Sequence, residues 1–543
     1  MQSWRRLFFP AFVIVLAVCL HPLQAEPPAA SPASHEEFGK VDFPVSCQPG
    51  VQAEFNRAVA ILHSFWYERA RSEFEKVTTD DPACALAYWG IAMTYWHPLW
   101  NPPGKEALEE GTAAAQKAAA LHAKTPREHA YIAAINAYYQ DWDKHNPHQR
   151  AVAYNQAMER VYEDYPQDVE AACFYALSLD AAALPSDAIY ANQRRAGAIL
   201  EKVFKAHPNH PGAAHYIIHS YDYPSLASKA LPAARRYASI APTASHALHM
   251  PSHIFTRLGL WQDSIHSNLA SIAAAKQALA RGEEGLDDEL HAIGFLSYAY
   301  LQLGQYKAAQ GILHDFDGMA TTGNLDERGG VEGKEATVRV QIALERHDWK
   351  QAAQIAVQEH ASAFTKAVVY WANSIGSVRL GEVPAAQKTV AKLQSLYDNG
   401  LGQDSSGRGI HFGEMELAEA RAWLAQSQGR PDEALTLMKA IAAKVEAGKA
   451  ESLVYPPVLP AREQVGDLLL EQKRPQEALA QYKLALQATP HRLDGLSGAA
   501  RAAELAGNRT EARKYLADLE KLCEHADPDV PTLSEARRFL AGN

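Results

Sequence analysis

Small, aromatic and proline residues recur in this chain at a spacing of 34, and no other feature narrows the fold as far. Ala58 is followed one period on by Ala92, inside Ala87-Tyr88-Trp89-Gly90-Ile91-Ala92. Ala70, Phe74, Val77 and Pro82 have the same mutual offsets as Ala196, Leu200, Val203 and Pro208, and as Ala230, Ala234, Tyr237 and Pro242. Further on, Gly304 precedes Ala309, Gly381 precedes Ala386, Gly429 precedes Ala434, and Gly507 precedes Ala512, each by five places. A turn glycine followed at a fixed distance by a small residue marks a helical hairpin whose second helix approaches its neighbour closely. One such hairpin cannot bury both apolar faces, so the units must stack on one another around a continuous core.

These places resemble the tetratricopeptide repeat, which is defined by small, aromatic and proline positions at this period. The resemblance runs over about 50–525, roughly eleven or twelve units, several of them degenerate. It implies an all-α, TPR-like α-solenoid, a right-handed superhelix of helical hairpins. Interruptions near 98–126, 182–192, 277–289, 317–332, 398–412 and 446–458 read as loops or short extra helices over one face. Asn101-Pro102-Pro103-Gly104 is the clearest break, and Ala113–Ala120 suits an additional helix or lid. Two solenoid regions are expected, 46–320 with a histidine-rich groove and 321–543 with a terminal cap.

Histidine supplies the chemistry. Of 23 histidines, seven fall within 207–253: His207, His210, His215, His219, His246, His249 and His253. His215 and His219 are spaced i, i+4, as are His249 and His253, and that spacing sets both imidazoles on one side of a helix. The second pair comes 34 residues after the first, so both occupy the same places in successive units. The family resemblance puts those places, the fifth and ninth of the first helix, on the concave groove. It likewise assigns the second place to His246 and His291, the twelfth to Asp222, and the thirteenth to His63 and His97. Packed helices lie about 8–10 Å apart, a gap that inward imidazoles can bridge through an ion. His215, His219, His249 and His253 are the first candidate ligands, with His246, His291 and Asp222 completing the set or orienting it. A mainly nitrogen donor set suits zinc, copper, nickel or iron. One ion with an outer shell and two ions both remain open.

Catalysis would need an open metal position and a carboxylate to take a proton from bound water. Asp222, Asp287, Asp288 and Glu289 are the candidates in repeat order. The chain contains no His-Glu-x-x-His, no phosphate loop and no Gly-x-Ser-x-Gly. The leading expectation is therefore a binding scaffold with a metal-capable groove. A hydrolase-like metalloenzyme and a metal-free scaffold for a protein or peptide stand beside it.

Residues 1–25 read as a secretory signal, with Arg5 and Arg6 ahead of an apolar run from Leu7 to Leu20. The product is then exported, periplasmic or secreted, with no membrane contact after signal removal. Residues 26–45 read as a flexible linker, since Pro, Ala and Ser dominate their first part. The net charge of −11 becomes −13 without the two signal arginines (50 − 63), which argues against nucleic acid as a partner. Cys47 precedes the first helix and Cys84 comes after the second, so an antiparallel pair would bring them together for a disulfide.

Overall fold

A computed structural model describes residues 36–184, 186–319, 325–359, 361–401, 413–446 and 458–542. Residues 1–25, read above as a signal, linker residues 26–35, and residues 402–412 and 447–457 of the interruptions at 398–412 and 446–458 lie outside the described residues. From Glu37 onward the chain packs as one compact unit. Among the described residues every regular element is helical and no strand occurs. Consecutive helices pack as hairpins, such as Gln52–His63 on Tyr67–Asp80 and Leu493–Leu505 on Arg509–Leu522, and each hairpin packs on the next. The fold is an all-α, TPR-like solenoid.

The repeat places explain the packing. Ala58, Ala92, Ala196, Ala230, Ala309, Ala386, Ala434 and Ala512 are all fully buried, as are Phe74, Leu200 and Tyr237. Gly304, Gly381, Gly429 and Gly507 end their helices at φ between +67° and +80°, where a side chain would be strained.

The interruption at 98–126 is smaller than its composition suggests. Lys105–Ala120 forms a full helix that packs on Ala85–Thr94 and Pro126–Tyr139. It buries Leu108, Ala115 and Ala118 and completes a hairpin, so it is a repeat helix and not a lid. Likewise, the interruption at 317–332 already contains the start of the helix Leu325–Glu345.

Composition also misjudges the end of the linker. Phe38 and Phe43 are buried, with Phe43 packed edge-on against Phe55 and Trp89. The Lys40 amide donates to the Asn209 carbonyl at 2.9 Å. Residues 37–45 therefore form an extended strap fixed to the first units and to the turns at Asn209 and Thr243, because two aromatic rings outweigh the polar composition around them. The strap leads to a disulfide between Cys47 and Cys84, whose Cα atoms stand 4.9 Å apart.

Two long-range closures shape the interior. The helix Gln52–His63 meets the helix Pro211–Tyr221, an approach that Gly212 permits: a Cβ there would lie 2.4 Å from His63 Nδ1. Farther along, Arg492 is fully buried and reaches back to Tyr298, Glu345 and Glu463. Leu493 N–H donates to the Gln302 side chain at 3.2 Å.

Candidate metal centre

The helix Pro211–Tyr221 starts with proline at its first position, where no amide is needed, and His210 caps it by accepting the Ala213 amide. His215 lies mid-helix and is fully buried, while His219, one turn on, is half-buried. In the next unit Pro251 lacks an amide, so the first helix is split into Ser245–His249 and Pro251–Arg257 around Met250. Ser271 holds the first piece by donating to the Ser245 carbonyl at 2.9 Å. His291 comes from the helix Leu286–Gln302.

These elements bring six imidazoles together as two triads. In the first, His215 Nε2 stands 3.0 Å from His219 Nε2 and 3.2 Å from His246 Nε2. In the second, His249 Nε2 stands 2.9 Å from His253 Nε2, and His291 offers a third nitrogen within 4.8 Å of both. Two imidazoles bound tetrahedrally to one zinc at about 2.0–2.1 Å would have their nitrogens about 3.3 Å apart. The observed spacings of 2.9–3.2 Å are slightly shorter than that and leave each triad able to close on one ion.

The hydrogen bonds on the far side of each ring fix where the protons are. His215 Nδ1 lies 2.6 Å from the His63 carbonyl, which can only accept, so Nδ1 carries the proton and Nε2 a lone pair. That carbonyl is free because the first helix ends at His63. His249 Nδ1 donates to Asn268 Oδ1 at 2.7 Å, and the Asn268 amide nitrogen is itself committed to the Ser264 carbonyl. His253 Nδ1 donates to Asp222 Oδ2 at 2.9 Å, and Asp222 also accepts from Arg257 Nε at 2.8 Å. As neutral imidazoles, His249 and His253 thus present two bare lone pairs to each other. In the first triad, the single lone pair of His215 cannot accept from both neighbours.

The surroundings disfavour charge on four of the six rings. Burial first, and the adjacent imidazoles second, hold His215, His219 and His249 well below their ordinary value. Burial, His253 and Lys334 do the same for His291. Burial alone would raise the Asp222 carboxyl, but Arg257 and His253 hold it below its ordinary value. Asp222 therefore stays ionised and acts as the anchor of His253, outside the ring of nitrogen donors. Of the other carboxylates, Asp288 lies nearest, 3.8 Å from His246 Nδ1 and accepting from Ser245 Oγ. Asp287 is exposed, and Glu289 pairs with Lys276.

Aromatic rings close the surroundings. Phe65, held at φ 57° just past the first helix, lies 4.4 Å from His215 and within 6 Å of His219 and His246 by ring centroids. Trp100, 40% exposed, lies against His219 and His246 of the same triad, with ring centroids 5.5 and 5.8 Å away. Phe295 packs on all three rings of the second triad at 4.6–5.3 Å. A separate cavity of about 100 Å³ between Trp349, Trp423, Tyr482 and Asp494 is lined by none of these histidines.

Two further groups have metal-like composition but not metal-like protonation. Cys47 and Cys84 beside Asp81 are tied up as a disulfide. His63 and His210 both donate from Nε2 to the buried Glu170, at 2.7 and 2.8 Å, and their Nδ1 atoms accept from Tyr216 and the Ala213 amide. Every donor there has an acceptor. Burial opposes ionisation of Glu170, but the two histidines hold its carboxyl well below the ordinary range. Such a group stabilises the fold above about pH 4.3 and loses that contribution as pH falls. Thermal unfolding monitored from about pH 5 to about pH 3 should therefore show a shallower decline in Glu170→Gln than in the unaltered chain. Equal slopes would remove Glu170 from the acid response.

The i, i+4 pairs and their register were visible in the sequence, and the structure brings together all six predicted histidines. Asn268, the His63 carbonyl, Arg257, Phe65 and Phe295 carried no motif. His97 stacks on Tyr67 at 4.3 Å and belongs to neither triad.

No protein-family model matches the chain, and the search of curated proteins finds no match. Among solved structures, the human IFIT1 dimer with m7Gppp-AAAA is 14% identical, over 81% of this chain and 90% of that one, with a TM-score of 0.36. An IFIT1 monomeric mutant with Gppp-AAAA is 14% identical over the same shares, with a TM-score of 0.35. The human IFIT1 dimer with PPP-AAAA is also 14% identical, over 77% and 87%, with a TM-score of 0.34. At that level the likeness assigns this chain no ligand. One expectation is nonetheless corrected: a charge summed over a whole chain does not describe one groove, and the structures just named were solved with m7Gppp-AAAA, Gppp-AAAA and PPP-AAAA. The exclusion of nucleic acid on net charge is withdrawn.

Proposed function

We propose that this helical scaffold is a metal-binding protein whose groove coordinates a transition metal of the zinc–copper group through its histidine lattice. One observation carries the reading. His249 and His253 have both Nδ1 protons committed elsewhere and their Nε2 atoms 2.9 Å apart, a contact between neutral rings that a shared metal ion turns from repulsive to attractive. All-imidazole donors favour zinc, copper, nickel or iron over calcium or magnesium. Export is part of the proposal, supported by the signal-like residues 1–25 and by a disulfide that an oxidising compartment would preserve.

Elemental analysis of the full chain, purified without chelator from metal-replete cells, tests this. Stoichiometric zinc or copper is expected, falling in the double variant His249→Ala, His253→Ala with helical content retained. Metal-free protein that also fails to take up either ion on addition would overturn the proposal and favour a metal-free scaffold.

A further inference from the structure

Each triad obeys one construction rule. An i, i+4 pair on the first helix of a unit meets the histidine at the second place of the next unit. His215 and His219 are joined by His246, and His249 and His253 by His291. His246 comes 27 places after His219, and His291 comes 38 after His253. The difference of 11 is taken up within the interruption at about 277–289, which becomes the end of the helix Trp261–Ala280, a turn and the start of the next helix. A ligand set built twice by successive repeat units has two centres.

From this we infer that the lattice holds two transition-metal ions, one in each triad, on adjacent units of the groove. The inference rests on the metal-binding reading above and adds stoichiometry and location to it. The short nitrogen contacts run within the triads: His215 with His219 and His246, and His249 with His253. The rings of His246 and His249, one from each triad on the same short helix, have centroids 6.4 Å apart, so the two centres are neighbours. Three imidazoles leave each tetrahedral ion one position for an outside ligand.

The centres are not equivalent. Two side chains anchor the second triad, Asn268 and the carboxylate of Asp222, whereas the first has a backbone carbonyl on His215 and Asp288 at 3.8 Å from His246. A carboxylate behind a ligating histidine raises its basicity, so the second triad should fill first.

The test is titration of the chelator-stripped full chain with Zn²⁺ against a chromogenic competitor. His219→Ala and His291→Ala serve as the variants, because both side chains are half-buried and their loss is tolerable; circular dichroism checks the fold. Two equivalents are expected in the unaltered chain, one in each single variant and none in the double variant. No binding at all in the unaltered chain would overturn the metal reading itself. One equivalent, abolished by either variant, would leave a single shared site and overturn the twin. Two equivalents retained in either variant would overturn the assignment of that triad.

Discussion

Replacing Arg492 by alanine is expected to cost the fold about 3–5 kcal/mol, the usual penalty for removing one partner of a buried ion pair. Its guanidinium is fully buried and donates to Glu463 at 2.9 Å, to Glu345 at 2.9 Å and to the Tyr298 hydroxyl. Burial raises Glu345 despite Arg492, and it pushes Glu463 up to about 7, so without the arginine both carboxyls must be protonated or leave the interior. The damage should spread, because this contact spans 194 residues from Arg492 to Tyr298 and joins the last units to the helix Leu286–Gln302. Hydrogen exchange should therefore show that helix and Leu493–Leu505 opening together in the variant. Supplying Arg492→Met with Glu345→Gln and Glu463→Gln should restore much of the loss, since no charge is then stranded. A change below about 1 kcal/mol for Arg492→Ala would mean that the buried network does not hold the units together.

Changing Asp222 to asparagine should weaken zinc binding at the second triad by about 10- to 100-fold, as losses behind a metal-bound histidine commonly do. Asparagine keeps the shape and an oxygen for His253 Nδ1, but not the charge that makes the imidazole a stronger donor. Arg257 also loses the carboxylate it pairs with at 2.8 Å while keeping its bond to the Asp222 carbonyl, so unfolding must be measured beside affinity. The variant should keep binding at the first triad, whose anchor is the His63 carbonyl. Unchanged affinity at both sites would show that Asp222 serves only Arg257 and the helix end.

Much of this architecture was legible in the sequence because close helix contacts admit only small residues. Ala58, Ala230 and Ala434 announce their packing by being alanine at the right offset, and Gly381 announces its turn through Ala386, five places on. The histidine pairs were legible for the same reason, since 3.6 residues per turn makes i and i+4 neighbours. The features that escaped depend on contacts between distant parts of the chain. Arg492 looks like any surface arginine until the last units fold back on Tyr298. Asn268 and the His63 carbonyl set the proton positions of the lattice, yet neither has a spacing that reveals it. The strap failed for another reason: proline and alanine set the composition of 26–45, while Phe38 and Phe43 set its energetics. The stretch 98–126 was misjudged because its prolines mark only the turn before a regular repeat helix.

The central claim is that imidazole nitrogens converge to hold a metal. X-ray absorption spectroscopy of the zinc- or copper-loaded full chain tests it most directly. The geometry predicts a nitrogen shell at about 2.0 Å with the outer-shell scattering of three imidazoles per ion and no sulfur. A shell dominated by oxygen without imidazole scattering, or one containing sulfur, would place the metal elsewhere and contradict the account.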